Sequence, residues 1–172
     1  MCAGVVGGMP RRSRSNEPGA IQHIYARGVL GVAIFADELD RQRYLKLLRQ
    51  VAAKHSWECL AHCLMTNHVH LLVKTHEDSL GAGMQALHGR YAQEFNLRHD
   101  RQGHLFQSRF GSTRIKDDLQ MHAVTRYIAR NPVEAGLCAS PDDWPWTDCR
   151  RALAMIKGSD PGSDPLAWAE AA

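Results

Sequence analysis

The stretch Asn67-His68-Val69-His70-Leu71-Leu72-Val73, bounded by Thr66 before it and Lys74-Thr75 after it, decides the reading of this chain. A short apolar run between polar residues is the pattern of a buried strand, and along a strand residues two apart face the same way. His68 and His70 therefore stand on one face, with Val69, Leu71 and Val73 on the other. The apolar face anchors the strand in a core while the opposite face presents two imidazoles. At this level two readings stand side by side: half of a metal site, since neutral imidazole is a common ligand, or ordinary strand histidines that are solvated or hydrogen-bonded.

Outward from this strand the pattern alternates. Trp57 to Met65 reads as a strand joined to it by a hairpin at Thr66-Asn67. Upstream, Ala20 to Arg27 alternates as a first strand closed by Gly28, and Asp37 to His55 sets Leu39, Tyr44, Leu47, Leu48 and Val51 near helical spacing behind an Asp37 cap. Downstream, Ser79 to about Arg98 puts Leu80, Met84, Leu87, Tyr91 and Phe95 on one stripe, a second long helix opened by a Ser79 cap. Leu105 to Ile115 reads as extended, and Asp117 to about Arg130 as a third helix. The order strand, helix, strand, strand, helix, strand is the split βαβ or ferredoxin-like arrangement: an α+β fold, its antiparallel sheet covered on one face by two helices, with an additional C-terminal helix. That leaves His68 and His70 on the open face, where the third helix can cross.

Composition narrows the class. The 172 residues suggest one domain, expected over residues 20–157, between a disordered basic arm (1–19) rich in Gly, Pro, Ser and Arg and a flexible tail (158–172). No apolar run approaches the ~20 residues of a membrane span, no secretory leader is apparent, and five cysteines without paired close spacing read as free thiols; the expectation is a cytoplasmic protein. Cys59 and Cys63 lie ~13 Å apart along a strand at ~3.3 Å per residue, too far for one tetrahedral zinc. The formal charge of +3 is mild, but its distribution is not even. From Met84 to Lys116 the basic residues Arg90, Arg98, Arg101, Arg109, Arg114 and Lys116 face only Glu94 and Asp100, with Tyr91, Phe95, Phe106 and Phe110 interleaved. Each residue alone is explained by a solvated helix face or a core aromatic. As a block they suit phosphate contacts and base stacking.

The third helix carries Tyr127 and Asn131, four apart and so on one face, where a phenol and an amide oxygen can address one ion or one phosphate. Pro132 biases Asn131 away from the helical region, so spacing alone predicts that the helix ends there and that Asn131 caps the following turn. Trp144-Pro145-Trp146 is expected to clamp the C-terminal helix to the core rather than stack on bases.

Five ordered motifs then carry a resemblance: Pro18-Gly19-Ala20 with His23-Ile24-Tyr25-Ala26-Arg27-Gly28; Cys63 to Val73; Gly103-His104-Leu105-Phe106-Gln107-Ser108-Arg109-Phe110; Arg126 to Leu137; and Asp143-Trp144-Pro145-Trp146. Together they resemble the single-tyrosine HUH transposases, in particular the REP-associated tyrosine transposase branch, over roughly three quarters of the chain. The resemblance implies that His68, His70 and Asn131 bind a divalent ion, Mg²⁺ or Mn²⁺, and that Tyr127 is the nucleophile. It implies single-stranded or hairpin DNA as partner, with Arg27 joining the basic block in contacting it, and either a homodimer or a monomer. The chain departs from the family where Arg27-Gly28 is followed by Val29 rather than Asn, which weakens a turn or a DNA contact.

The chemistry fits the parts. A phenol with a pKa of about 10 is a weak nucleophile at neutral pH, and a phosphodiester repels anions, so a cation on the phosphate oxygen is needed. An open site of mixed nitrogen and oxygen donors suits Mg²⁺ or Mn²⁺ better than zinc. Two function classes follow: an enzyme that nicks and rejoins single-stranded DNA through a 5′-phosphotyrosine, or a catalytically silent module that recognises hairpin DNA or RNA.

Overall fold

The computed structural model describes residues 17–159. Strands β1 (Ile21–Arg27), β2 (Trp57–Leu64), β3 (His68–Thr75), β4 (Gly111–Arg114) and β5 (Thr147–Asp148) form one antiparallel sheet in the order β4-β1-β3-β2-β5. Helices α1 (Glu38–Lys54) and α2 (Leu80–Arg98) follow β1 and β3, giving the expected ferredoxin-like core; α3 (Asp118–Glu134) and α4 (Arg150–Ser159) follow β4 and β5. Among the described residues no helix is long and apolar enough to cross a membrane.

The two faces of β3 divide the interior as their alternation predicts. Val69, Leu71 and Val73 join Ile24, Tyr44, Leu47, Leu87, Tyr91 and Phe95 in the main core under α1 and α2. Leu72 lies on the other face, with Met121, Ile128 and Ala129 of α3 and Ala152 and Ile156 of α4 in a second core. The second face, left open by α1 and α2, is thus only partly covered by α3 and α4. α1 is capped as expected, the Asp37 carboxylate accepting from Asp40 N–H at 3.0 Å, but Leu39 is exposed rather than in the core. The Asp40 side chain is buried and accepts from Ala36 N–H (2.9 Å) and Arg98 Nη1 (2.6 Å), which ties the end of α2 to the start of α1.

Four local expectations are corrected. Ser79 holds the N-cap position of α2, but its side chain does not cap the helix: the hydroxyl donates to His55 O (2.9 Å) and accepts from Trp57 Nε1 (3.0 Å), pinning the helix to the start of β2. The extended segment 105–115 shrinks to four paired residues plus a Gly28–Phe106 bridge, because the preceding loop turns Leu105 and Phe106 into the core beside α2. α3 runs through Pro132 to Glu134, and Asn131 is helical; it does not cap a new turn. Pro132 falls in the last turn, where it forgoes one N–H bond, the one to Ile128 O, and burial of Ile128, Ala129, Asn131 and Pro132 overrides the local preference. Gly136, at φ +69°, then ends the helix in the left-handed conformation that glycine adopts freely.

At the ends of the expected domain, Gly19 N–H donates to Thr75 O at 2.6 Å and Glu17 pairs with Arg114, while α4 extends to Ser159. Residues 1–16 of the expected arm and 160–172 of the expected tail lie outside the described residues. The Trp144 and Trp146 clamp forms: Trp144 Nε1 donates to Leu64 O (3.2 Å), Leu64 N–H donates to Trp146 O (3.0 Å), and the Arg41 guanidinium lies 5.6 and 5.7 Å from the two ring centroids.

Candidate active site

Because β3 pairs with β1, the open-face residues of the two strands fall opposite one another: Arg27 against His68, Tyr25 against His70, His23 against Leu72. α3 crosses this face and brings the buried amide of Asn131 onto both imidazoles. His68 Nε2 lies 2.9 Å from Asn131 Oδ1, and His70 Nε2 lies 3.5 Å from Asn131 Nδ2. One turn earlier Tyr127 stands over the group, its ring 5.1 Å from His70 at 82° and 6.0 Å from His23 at 74°. Tyr127 is 44% exposed, so it can be reached from solvent.

Hydrogen bonding fixes which nitrogens carry protons. Asn67 uses Nδ2 to donate to Gly31 O (3.2 Å), which turns its Oδ1 towards His68 Nδ1 at 2.7 Å. His68 Nδ1 is therefore the donor, and a neutral His68 points the bare lone pair of Nε2 at another acceptor, Asn131 Oδ1. Two acceptors at 2.9 Å repel unless a proton or a cation stands between them. Burial lowers the proton affinity of His68 and outweighs the opposing pull of Asn131. His70 is held down to about 3, first by burial and then by His23 and His68. Burial likewise lowers His23. The imidazoles are neutral at physiological pH, so the site has lone pairs to offer.

That donor set fits a hard divalent cation. Two ligand atoms in adjacent positions of an octahedral ion, each at ~2.1 Å, are about 3 Å apart, which is the His68–Asn131 separation. With one amide oxygen and two imidazoles, positions stay open for substrate oxygen and water. The group contains no carboxylate or thiolate, and among the described residues no group of three His, Cys, Asp or Glu side chains, here or elsewhere, is placed to hold a metal ion.

Of the predicted nucleic-acid contacts, Arg27 shares the open face with His68 and is exposed. Arg109 is exposed on the loop before β4, beside a groove against α2. Arg90 pairs with Glu94 on α2, and Arg98 is engaged by Asp37 and Asp40; both lie on the layer across the sheet from the histidines. The Arg101 guanidinium lies 5.9 Å from the Phe95 ring centroid, Arg114 pairs with Glu17, and Lys116 is exposed before α3. The block that looks continuous in sequence is therefore dispersed in space. Sequence reasoning gave no role to His23 or Asn67, which orient the two histidines, or to Tyr25 beside them. The alternation that picks out His68 and His70 also puts His23, Tyr25 and Arg27 on one face of β1.

A ferredoxin-like sheet carrying a His-Val-His strand, faced by a helix-borne tyrosine, has the architecture of the HUH class. Residues 23–131 match the family described as "Transposase IS200 like", and this chain belongs to that family. It is 26% identical over 129 residues to a REP-associated tyrosine transposase of Haemophilus influenzae, covering 68% of this chain and 73% of that protein. Its fold is shared with the structure of a REP-associated tyrosine transposase bound to a REP hairpin: TM-score 0.68 at 17% identity, over 85% of this chain and 86% of that one.

Proposed function

We propose that the protein nicks and rejoins single-stranded DNA, at or beside a hairpin, through a covalent tyrosine intermediate. The observation that carries this reading is the convergence of His68 Nε2, His70 Nε2 and the Asn131 amide beneath a half-exposed Tyr127. His68, His70 and Asn131 would hold Mg²⁺ or Mn²⁺, which supplies positive charge for the non-bridging phosphate oxygens. Tyr127 Oη attacks phosphorus in line; the Oη–P bond forms, the P–O3′ bond breaks, and the phenolic proton ends on the departing 3′ oxygen. The products are a 5′-phosphotyrosine and a free 3′-hydroxyl. Since the phosphodiester energy is kept in the new bond, another 3′-hydroxyl can reverse the step and join a different strand. The REP hairpin bound by the structural relative makes a hairpin with single-stranded flanks the first substrate to test.

The test is a denaturing-gel assay for protein–DNA adduct on end-labelled hairpin oligonucleotides with Mg²⁺ or Mn²⁺. Wild type should form an adduct carrying the strand 3′ of the cut, and Tyr127→Phe should form none. If wild type binds the hairpin without forming adduct, or if Tyr127→Phe forms it equally well, the tyrosine mechanism is wrong; the first result leaves a silent hairpin-binding module.

A further inference from the structure

Tyr25 is the residue of the open face that the proposed chemistry leaves unused. It stands directly opposite His70 in the β1–β3 register, its ring 5.7 Å from that of His23, and 44% of its surface is exposed. Its hydroxyl makes no hydrogen bond among the described residues, so polar anchoring does not explain its position. The other strand neighbour does. Gly111 of β4 is its direct partner, and a Cβ there would fall 2.3 Å from both Cε2 and Cζ of the Tyr25 ring. The ring therefore lies against bare backbone, in space that any other residue at 111 would take. Two positions along the same face, Arg27 offers an exposed cation opposite His68.

We propose that Tyr25 is a stacking platform for an unpaired nucleobase next to the phosphate addressed by His68 and His70, with Arg27 neutralising an adjoining backbone phosphate. This rests on the function proposed above and adds the residue that positions the strand. The occupant is single-stranded DNA because the surface pairs an exposed aromatic with an exposed cation at nucleotide-scale spacing, the combination that tracks a sugar-phosphate backbone and accepts any base. Support from Gly111 on one side leaves the ring's outer side for the base. The role belongs to the ring, not to the hydroxyl, which separates Tyr25 from Tyr127.

The experiment uses the full chain and an oligothymidylate with a central 2-aminopurine, whose fluorescence is quenched by stacking. Wild type should bind with quenching. Tyr25→Leu, apolar but unable to stack, should lose about tenfold in affinity together with the quenching, and Tyr25→Phe should restore both. Gly111→Ala, which displaces the ring, should shift both readouts in the direction of Tyr25→Leu while melting temperature reports its fold. Absence of quenching in wild type, equal binding by Tyr25→Leu, or failure of Tyr25→Phe to rescue would each overturn the proposal. Adduct formation at Tyr127 is scored separately. Stacking without adduct sinks the proposed reaction and leaves the platform standing; adduct with unchanged KM in Tyr25→Leu sinks the platform and leaves the reaction.

Discussion

His23 Nε2 lies 3.1 Å from His70 Nδ1, with the two rings stacked at a centroid separation of 5.3 Å and 24° between planes. The contact joins β1 to β3 across the open face, and the Asn131 amide gives it its direction: with Asn131 Nδ2 facing His70 Nε2, that nitrogen is the acceptor and His70 Nδ1 carries the proton. His70 donates from Nδ1, so Nε2 keeps its lone pair on the side of Asn131 and Tyr127. Asn67 does the same for His68 through the hairpin, at 2.7 Å. Each histidine of the pair is thus oriented by its own partner, and one partner is neutral imidazole rather than carboxylate. The site gains orientation without gaining negative charge, so under the proposed function its affinity for a cation would stay moderate until a phosphate added its oxygen.

Removing that orientation should weaken metal binding without disturbing the fold. His23→Ala is expected to lose 10–100-fold in Mn²⁺ affinity, the usual cost of deleting an outer-shell partner. Titration followed by the electron paramagnetic resonance of free Mn²⁺ measures it directly, with no substrate present. An unchanged affinity in a protein of unchanged melting temperature would show that His70 holds its tautomer without His23.

Asn131 offers the complementary change. Its side chain is neutral and buried, and the amide already spans both imidazoles. Asn131→Asp supplies a carboxylate in nearly the same volume, and hard divalent cations respond strongly to ligand charge. The variant should bind Mn²⁺ at least tenfold more tightly than wild type, and its folding should become metal-dependent, since an uncompensated buried carboxylate destabilises the apoprotein. Calorimetric titration and melting with and without Mn²⁺ read the two effects. Weaker binding than wild type would remove Asn131 from the ligand set.

How much of this site was legible in the sequence follows from which rules are local. His68 and His70 share a face by the period of a strand, and Tyr127 and Asn131 by the period of a helix; these four could be found from spacing and a resemblance. The placement of His23 and Tyr25 beside them depends on registers that pair residue 23 or 25 with residues beyond 68, and no local rule carries that. Pro132 shows the opposite failure: a sound local preference was overridden by burial of the last turn of α3. The basic block is dispersed for a similar reason. Its side chains follow one another in sequence, but α2, the loop and β4 send them to different surfaces, and Arg98 is drawn into an ion pair by Asp40, nearly sixty residues earlier.

That ion-pair cluster predicts an acid-dependent contribution to stability. The Asp37 carboxyl is depressed from 3.8 to about 2, chiefly by its hydrogen bond with Arg98 and then by the Asp40 N–H it caps. A carboxylate whose folded value is depressed adds stability that is complete above the unfolded value and is lost as pH falls through the folded one. Asp37→Asn keeps a good N-cap and removes the charge. The difference in melting temperature between wild type and Asp37→Asn should therefore be constant above about pH 4, given the unfolded value of 3.8. It should shrink towards zero near pH 2, and it should narrow in high salt because Asp37 is exposed to screening. A difference that does not change with pH would mean that the cap, not the ion pair, carries the effect.

The seam between α2 and the sheet gives a prediction independent of the site. Gly83 lies in the first turns of α2 with Trp57 packed against it, and a Cβ at Gly83 would fall 2.2 Å from Cζ2 and 2.6 Å from Cη2 of the indole. Trp57 cannot simply rotate away, because its Nε1 is held by Ser79, whose hydroxyl in turn donates to His55 O. Gly83→Ala therefore sets a favourable helix propensity, worth up to about 1 kcal/mol, against overpacking at a pinned aromatic, which costs about 1–3 kcal/mol. The net effect should be destabilising. Gly81 and Gly89 of the same helix, with nothing within 4 Å of the added Cβ, should instead be stabilised by alanine. Denaturant unfolding of the three variants settles the contrast: opposite signs are expected, and equal stabilisation of all three would show that the Trp57 contact yields.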